Sequence, residues 1–525
     1  MSVSLRTVVF AVALVAAPLL FVARTLTQAA QSNGAPSVAA ALGTPSDAAE
    51  VRLQLADLMF AEGRFPDALD AYNAAKVSGD LRLRRRALSG AATTSLRLAE
   101  FSDAAEDAEA LIKLSPRDSD AVALQGDTLW ALGRFLDSEK RFDDALAINP
   151  ESARARHGRA RSLASRSQLD EALNEAQAAL RLSPRDAEIH HAVGSIYERM
   201  RRYEEAVNAF GNYVNLLPNK DRSAKADWSR AEISFLRNFA NKVPMDIDPA
   251  DETRVHVVPF RIVNDKVVVR VRINRGPLMD FTLDTGSERT VITVDTAKRM
   301  GIRALSVTLS AGVGDFMLRG LQLGRLDSLT IGSLEIDNVP VLIKNPPLRN
   351  MPTREAESFS PVSLGFSMVV DYGRGELLMA REIPEEPADH RLPLRVHRLA
   401  MVQGTVDGDP ANFVVDTGGE VISISADTAS GLDRTESTRH IPLKVYGTSG
   451  WDRDAFLLPG VDLTFQGIQY SNFPVVVLNL RAPSVLLGFQ LGGIVGHKFL
   501  SRYRVAIDLK TSEVRMKALT GRLAG

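Results

Sequence analysis

Phe281-Thr-Leu-Asp-Thr-Gly-Ser287 is an apolar run that ends in Asp-Thr-Gly, and the phrase returns as Phe413-Val-Val-Asp-Thr-Gly-Gly419. A single such tripeptide is weak evidence, since a chain this long holds one by chance about one time in ten. The echo spreads outward from it. Asp295-Thr-Ala297 matches Asp427-Thr-Ala429 at an offset of 132, and Asn338 and Pro340 match Asn472 and Pro474 at 134. Asp371, Glu376 and Met379 match Asp508, Glu513 and Met516 at 137. Small offset changes are what loop insertions produce. Residues from about 252 to 517 therefore read as two copies of one unit, and such a repeat is settled before anything else.

Each copy is written in strand language. Val255–Phe260, Val267–Ile273 and Asp280–Leu283 alternate or run apolar, rich in Val, Ile and Phe. The expected halves are 252–384 and 385–525. Val243-Pro-Met-Asp-Ile-Asp-Pro249 before them reads as a stiff linker, assigned to 243–251.

Upstream, the period is 34. Pro116, Pro150, Pro184 and Pro218 recur at that spacing, with Ala104, Ser138, Ala172 and Ala206 in phase. Proline ends each second helix, and small residues let paired helices approach. The stretch resembles the tetratricopeptide repeat family: Gly194, Tyr197, Ala206, Phe210 and Pro218 fall on that family's pattern, as do Gly126, Phe142, Ala145 and Pro150, although the family's first-helix Trp is missing. Five repeats and a terminal helix over Asp221 to Lys242 are expected within 49–242, forming an all-α solenoid. The resemblance implies a concave surface for a protein partner; the alternative is a solenoid that only spaces or dimerises the protein.

Residues 1–30 carry an apolar run from Val8 to Ala23, behind Arg6 and interrupted by Pro18. It reads as either a cleavable signal peptide or a retained N-terminal membrane anchor. Residues 31–48, rich in Ser, Gly, Pro and Ala, read as a flexible tether. Either reading places the bulk of the chain outside the cytoplasmic membrane, in the periplasm or cell envelope.

A strand that ends in Asp-Thr-Gly suits one chemistry. Glycine allows a sharp turn, and the threonine hydroxyl can tie two turns together. Two carboxylates facing each other cannot both ionise, so they share a proton. The two halves resemble retropepsin-like and pepsin-like aspartic peptidases fused in one chain, which implies an all-β bilobal domain that hydrolyses peptides. On that resemblance Asp284 and Asp416 are catalytic, and Thr285 and Thr417 interlock beneath them. Gly286, Ser287, Gly418 and Gly419 shape the turns. Gly419 departs from the family's Ser, Thr or Ala and loses a hydroxyl able to bond the carboxylate. Flaps are expected at Tyr446, Gly447 and Thr448 in the second half, and at Gly312 and Gly314 in the first. A late apolar-apolar-Gly strand is expected at Ile494-Val-Gly496, followed by a short helix, and at Ser363-Leu-Gly365 without one.

A net charge of −1 gives no reason to invoke nucleic acid, and the absence of cysteine excludes thiolate chemistry and disulfides. The eight histidines show no ligand spacing and are expected mostly at the surface. No metal or cofactor is expected. The expectation is an aspartic endopeptidase acting on a protein or peptide substrate. Its rivals are a non-catalytic scaffold with a peptidase-like module, and a half-site that pairs with another molecule.

Overall fold

Five helix pairs follow from the 34-residue period: α1 (Pro45–Ala61), α2 (Phe65–Ala75), α3 (Leu81–Leu98), α4 (Phe101–Leu114), α5 (Ser119–Ala131), α6 (Phe135–Ile148), α7 (Ala153–Ser165), α8 (Leu169–Leu182), α9 (Ala187–Arg199) and α10 (Tyr203–Leu216). A further helix, α11 (Ala224–Leu236), closes the stack. The computed structural model describes residues 45–218, 221, 223–239, 242–310, 312–313, 319–344, 357–437, 439–447 and 450–519. The expected N-terminal signal or anchor, Gly314 and Thr448 lie outside the described residues. Among those described, no helix is long and apolar enough to cross a membrane.

The start signals repeat with the same period as the prolines. Asp118, Ser152 and Asp186 each accept a backbone N–H of the next turn, at 2.9, 3.3 and 2.9 Å. This satisfies donors that a helix start leaves orphaned. Within a pair, the ring on the second helix lies on a glycine of the first. A Cβ at Gly126 would fall 2.6 Å from Phe142, and one at Gly194 2.7 Å from Phe210. The inner face is crossed by the solenoid's own charges: Arg97 of α3 bonds Glu188 of α9 at 2.6 Å and also Asp221, while Lys225 of α11 reaches Glu188.

Two expected boundaries shift. Helix α1 starts inside the expected tether. The expected linker is docked: Asp246 and Asp337 exchange backbone bonds at 3.0 and 2.8 Å, Asn338 donates its amide to Val243 O, and a helical turn, Pro249–Glu252, starts on an Asp248 cap. Strand pairing gains two backbone bonds there, which a free linker would leave to water.

The C-terminal half is built from strands, as the alternation predicts. Its halves share a six-stranded antiparallel sheet, ordered His256–Val263, Glu376–Ala380, Ser367–Asp371, Tyr503–Asp508, Glu513–Ala518 and His390–His397. At its centre Val369 pairs with Ala506, flanked by Val370 with Val505 and Met368 with Ile507. Positions 137 apart thus face each other, so the pseudo-two-fold axis passes through this pair. Asn338 and Asn472 both take a left-handed conformation at φ 54°, the mark of one bend used twice.

The histidines correct the expectation. His157, His190, His256 and His497 are buried. His190 bonds Pro184 O at 3.0 Å, His256 bonds Ser333 Oγ and Asp251 O at 2.9 and 3.0 Å, and His497 packs edge-on to Tyr372.

The solenoid rests on the strand domain through the turns between its paired helices and through α11, whose Phe235 and Leu236 pack with Val291, Leu323 and Leu342. Trp130 and Phe135 pack with His397 and Phe489, and Gln490 donates its N–H to Ala131 O at 2.7 Å. Gly133, at φ +73°, takes a conformation that disfavours a side chain, and a Cβ there would lie 1.7 Å from Asn412 Nδ2. Only glycine fits that approach.

Candidate active site

Each Asp-Thr-Gly turn is aimed by the same pair of strands. Leu278–Leu283 runs parallel to Ser358–Phe359, and Asp284 N–H bonds Phe359 O at 2.9 Å. Asp409–Val415 runs parallel to Gly493–Val495, and Asp416 N–H bonds Val495 O at 3.0 Å. This register corrects the expected late strand of the first half. Phe359 is the counterpart of Val495 and Ser360 that of Gly496, whereas Ser363-Leu-Gly365 lies beyond, in a turn. The second half continues into the short helix His497–Leu500; the first has only the turn.

The two turns lock at their bases. Thr285 and Thr417 are 1% exposed. Thr285 N–H donates to Thr417 Oγ1 at 3.1 Å and Thr417 N–H to Thr285 Oγ1 at 3.0 Å. Each hydroxyl then donates to a carbonyl of the opposite strand, Val415 O at 2.5 Å and Leu283 O at 2.8 Å. Both turns belong to one chain, so the site needs no second molecule.

The lock brings Asp284 and Asp416 together over the glycines. A Cβ at Gly286 would lie 2.5 Å from Asp416 Cγ, and one at Gly418 2.8 Å from Asp284 Oδ1. Each carboxylate therefore rests on the glycine of the opposite turn. Gly418 N–H donates to Asp416 Oδ1 at 2.8 Å. Gly419 has its own reason: a Cβ there would lie 2.9 Å from Asp416 Oδ2. Ser287 sends its hydroxyl to Arg289 O at 2.9 Å, so that proton is not given to the dyad. Burial, reinforced by the charge of Asp284, pushes Asp416 up to about 7.

Val445–Gly447 and Gly450–Asp452 form a hairpin in which Tyr446 faces Trp451, ring centroids 5.1 Å apart. A Cβ at Gly447 would strike Val313 O at 2.2 Å, so the second-half hairpin lies directly on the first-half segment that contains Gly312. The two expected flap regions meet.

Several residues around the dyad belong to no recognisable motif. Glu288 accepts two bonds from Arg398, at 2.9 and 2.5 Å, and that guanidinium lies 4.7 Å from the Trp228 ring centre. Arg289 is held by Glu198 and Glu232 at 3.1 and 2.7 Å. Lys344 is half-buried; desolvation by the surrounding protein pushes its ammonium down, while Asp284 and Glu288 pull it back up. The one available signal was the charged Glu288-Arg289 pair directly after the Asp-Thr-Gly-Ser turn.

Both parts of the chain match known protein families. Residues 269–368 and 402–491 match the family model described as aspartyl protease. Residues 90–153, 123–187 and 157–220 match tetratricopeptide repeat. The TPR repeat-containing thioredoxin TTL4 of Arabidopsis thaliana is 32% identical over 89 residues, which span 17% of this chain and 13% of that protein's length. Among solved structures, a thermophilic TPR protein of Thermus thermophilus is 24% identical, with 33% of this chain and 93% of that one covered and a TM-score of 0.29. A tetratricopeptide repeat protein from Parabacteroides merdae is 21% identical, with 37% and 74% covered and a TM-score of 0.28. The chain carries a doubled aspartyl-protease domain in its C-terminal half, preceded by tetratricopeptide repeats.

Proposed function

We propose that the chain is an aspartic endopeptidase. The observation that carries this is the closed Thr285–Thr417 lock with Asp284 and Asp416 resting on each other's glycines. One carboxyl of the dyad is protonated and the other ionised. The ionised group takes a proton from a water as its oxygen attacks the amide carbon. The protonated group gives its proton to the carbonyl oxygen. The tetrahedral diol then collapses: the C–N bond breaks as a proton passes to the leaving nitrogen, and the dyad is restored. No covalent intermediate forms.

The substrate is an extended peptide segment laid as an added strand beneath the hairpin of Tyr446 and Trp451. The repeats present a protein-binding surface outside the docked turns. The apolar run Val8–Ala23 supports export to the cell envelope, with either release or anchoring.

Cleavage of a mixed peptide library, from acid to neutral pH, tests this beside Asp284→Asn and Asp416→Asn. Cleavage by the unaltered chain that vanishes in both variants supports the shared dyad. Full activity in either variant overturns it.

A further inference from the structure

The two catalytic turns are propped differently. In the second half the turn leans on its own lobe. His497 N–H donates to Gly419 O at 2.8 Å and Lys498 N–H to Glu420 O at 3.0 Å, and the Lys498 ammonium bonds the Glu420 carboxylate at 2.6 Å. All three bonds come from the helix His497–Leu500. The first half has no such helix after Ser360. At an offset of 132, its residues matching Gly419, Glu420 and Val421 are Ser287, Glu288 and Arg289.

Those residues are held from outside their lobe. Glu288 is gripped by Arg398 of the other half. Arg289 is gripped by Glu198 at the end of α9 and Glu232 of α11, both in the repeat domain. The Arg289 guanidinium also lies 5.0 Å from the ring centre of Phe235 of α11. Glu232 is fully buried and the Arg289 side chain is 15% exposed, so this is not a surface pair of small consequence. Two carboxylates meet one guanidinium, and burial together with the charge of Glu232 pushes Glu198 up to about 8. From Arg289 the path to the dyad is short, because its carbonyl takes the Ser287 hydroxyl and Ser287 N–H returns to Asp284 O at 3.2 Å.

We infer that the repeat domain replaces the missing helix as the prop of the first catalytic turn, and that Arg289, clamped by Glu198 and Glu232, is a positioning residue for Asp284. The inference rests on the peptidase reading. It makes the repeats a working part of the active site in the same molecule.

The test is a double-mutant cycle in the full chain: Arg289→Met, Glu232→Gln and both together, with Arg289→Lys as the conservative variant. Rates are normalised to the folded fraction by circular dichroism. Arg289→Met is expected to lower kcat about ten- to hundredfold, because misplacing a reacting group by about 1 Å costs that much, with KM little changed. The double variant is expected to be no worse than Arg289→Met alone, and Arg289→Lys to recover part of the rate. An unchanged kcat per folded molecule, or losses that multiply in the double variant, overturns the inference while leaving the peptidase reading intact. An unaltered chain that cleaves nothing at any pH overturns both.

Discussion

Thr285 and Thr417 exchange backbone-to-hydroxyl hydrogen bonds across the pseudo-two-fold axis, at 3.1 and 3.0 Å, although 132 residues separate them. Each hydroxyl both accepts and donates, so neither threonine can be lost without orphaning a buried group of the other half. Thr417→Val leaves the Thr285 N–H and the Leu283 carbonyl without their partner. A buried orphan costs about 1–3 kcal/mol. The variant is therefore expected to lose about that much stability in urea denaturation, and hydrolysis with it. Thr417→Ser keeps the oxygen and is expected to retain most of both.

The dyad sets a pH dependence with a definite sign. Asp416 is pushed up to about 7 in the folded chain, against an ordinary aspartate value of 3.8. Between those values the folded state holds a proton that the unfolded state has released. Stability from this group is thus fully present below about 3.8 and lost as pH rises toward 7. Hydrolysis needs the same proton, so kcat is expected to fall as pH rises through about 7. Asp416→Asn removes the buried like-charge contact and keeps an oxygen for Gly418 N–H. It is expected to abolish cleavage and to raise the melting temperature at pH 8 above that of the unaltered chain, read by thermal denaturation.

The glycines of the two turns allow a sharper cut between fold and activity. At Gly418 the atoms nearest to an added methyl group all belong to the Asp284 side chain, with Oδ1 at 2.8 Å. Gly418→Ala is expected to push that carboxylate aside, lowering kcat about a hundredfold while the far-ultraviolet circular dichroism stays unchanged.

The doubled phrase around Asp284 and Asp416 made the locked turns legible, because a pseudo-two-fold axis writes itself into the sequence as an echo. Asn338 and Asn472 were readable for the same reason, and both prove to be left-handed bends. The period of 34 likewise marked the helix pairs. What stayed hidden breaks the symmetry. The strand Ser358–Phe359 ends in Ser360 where its twin ends in Gly496, so glycine pointed to Gly365, which ends a turn instead. The Glu198–Arg289–Glu232 cluster joins residues 91 and 57 positions apart through one carboxyl–guanidinium contact each, and such contacts leave no period. Docking of the stiff linker stayed hidden because its partners, Asp337 and Asn338, lie in a distant hairpin.

Docking of the repeats onto the protease halves has its own test, separate from catalysis. Arg395 of the second half makes a paired bond to Glu139 of α6, at 2.6 and 2.8 Å. Their side chains are 9% and 16% exposed, so solvent screens the pair little. Glu139→Gln keeps one acceptor but removes the charge that offsets the Arg395 guanidinium, and Glu139→Ala removes both. Stranding a buried charge costs about 3–5 kcal/mol, and here the remaining exposure and the Leu394 carbonyl, bonded at 2.9 Å, soften the loss. Glu139→Ala is expected to destabilise the chain by roughly 2–4 kcal/mol and Glu139→Gln by less. Arg395→Met, which takes away the stranded charge, should recover part of the Glu139→Ala loss when the two are combined. Chemical denaturation of the three variants measures it. Equal and additive losses would show that the pair contributes contact area rather than charge compensation.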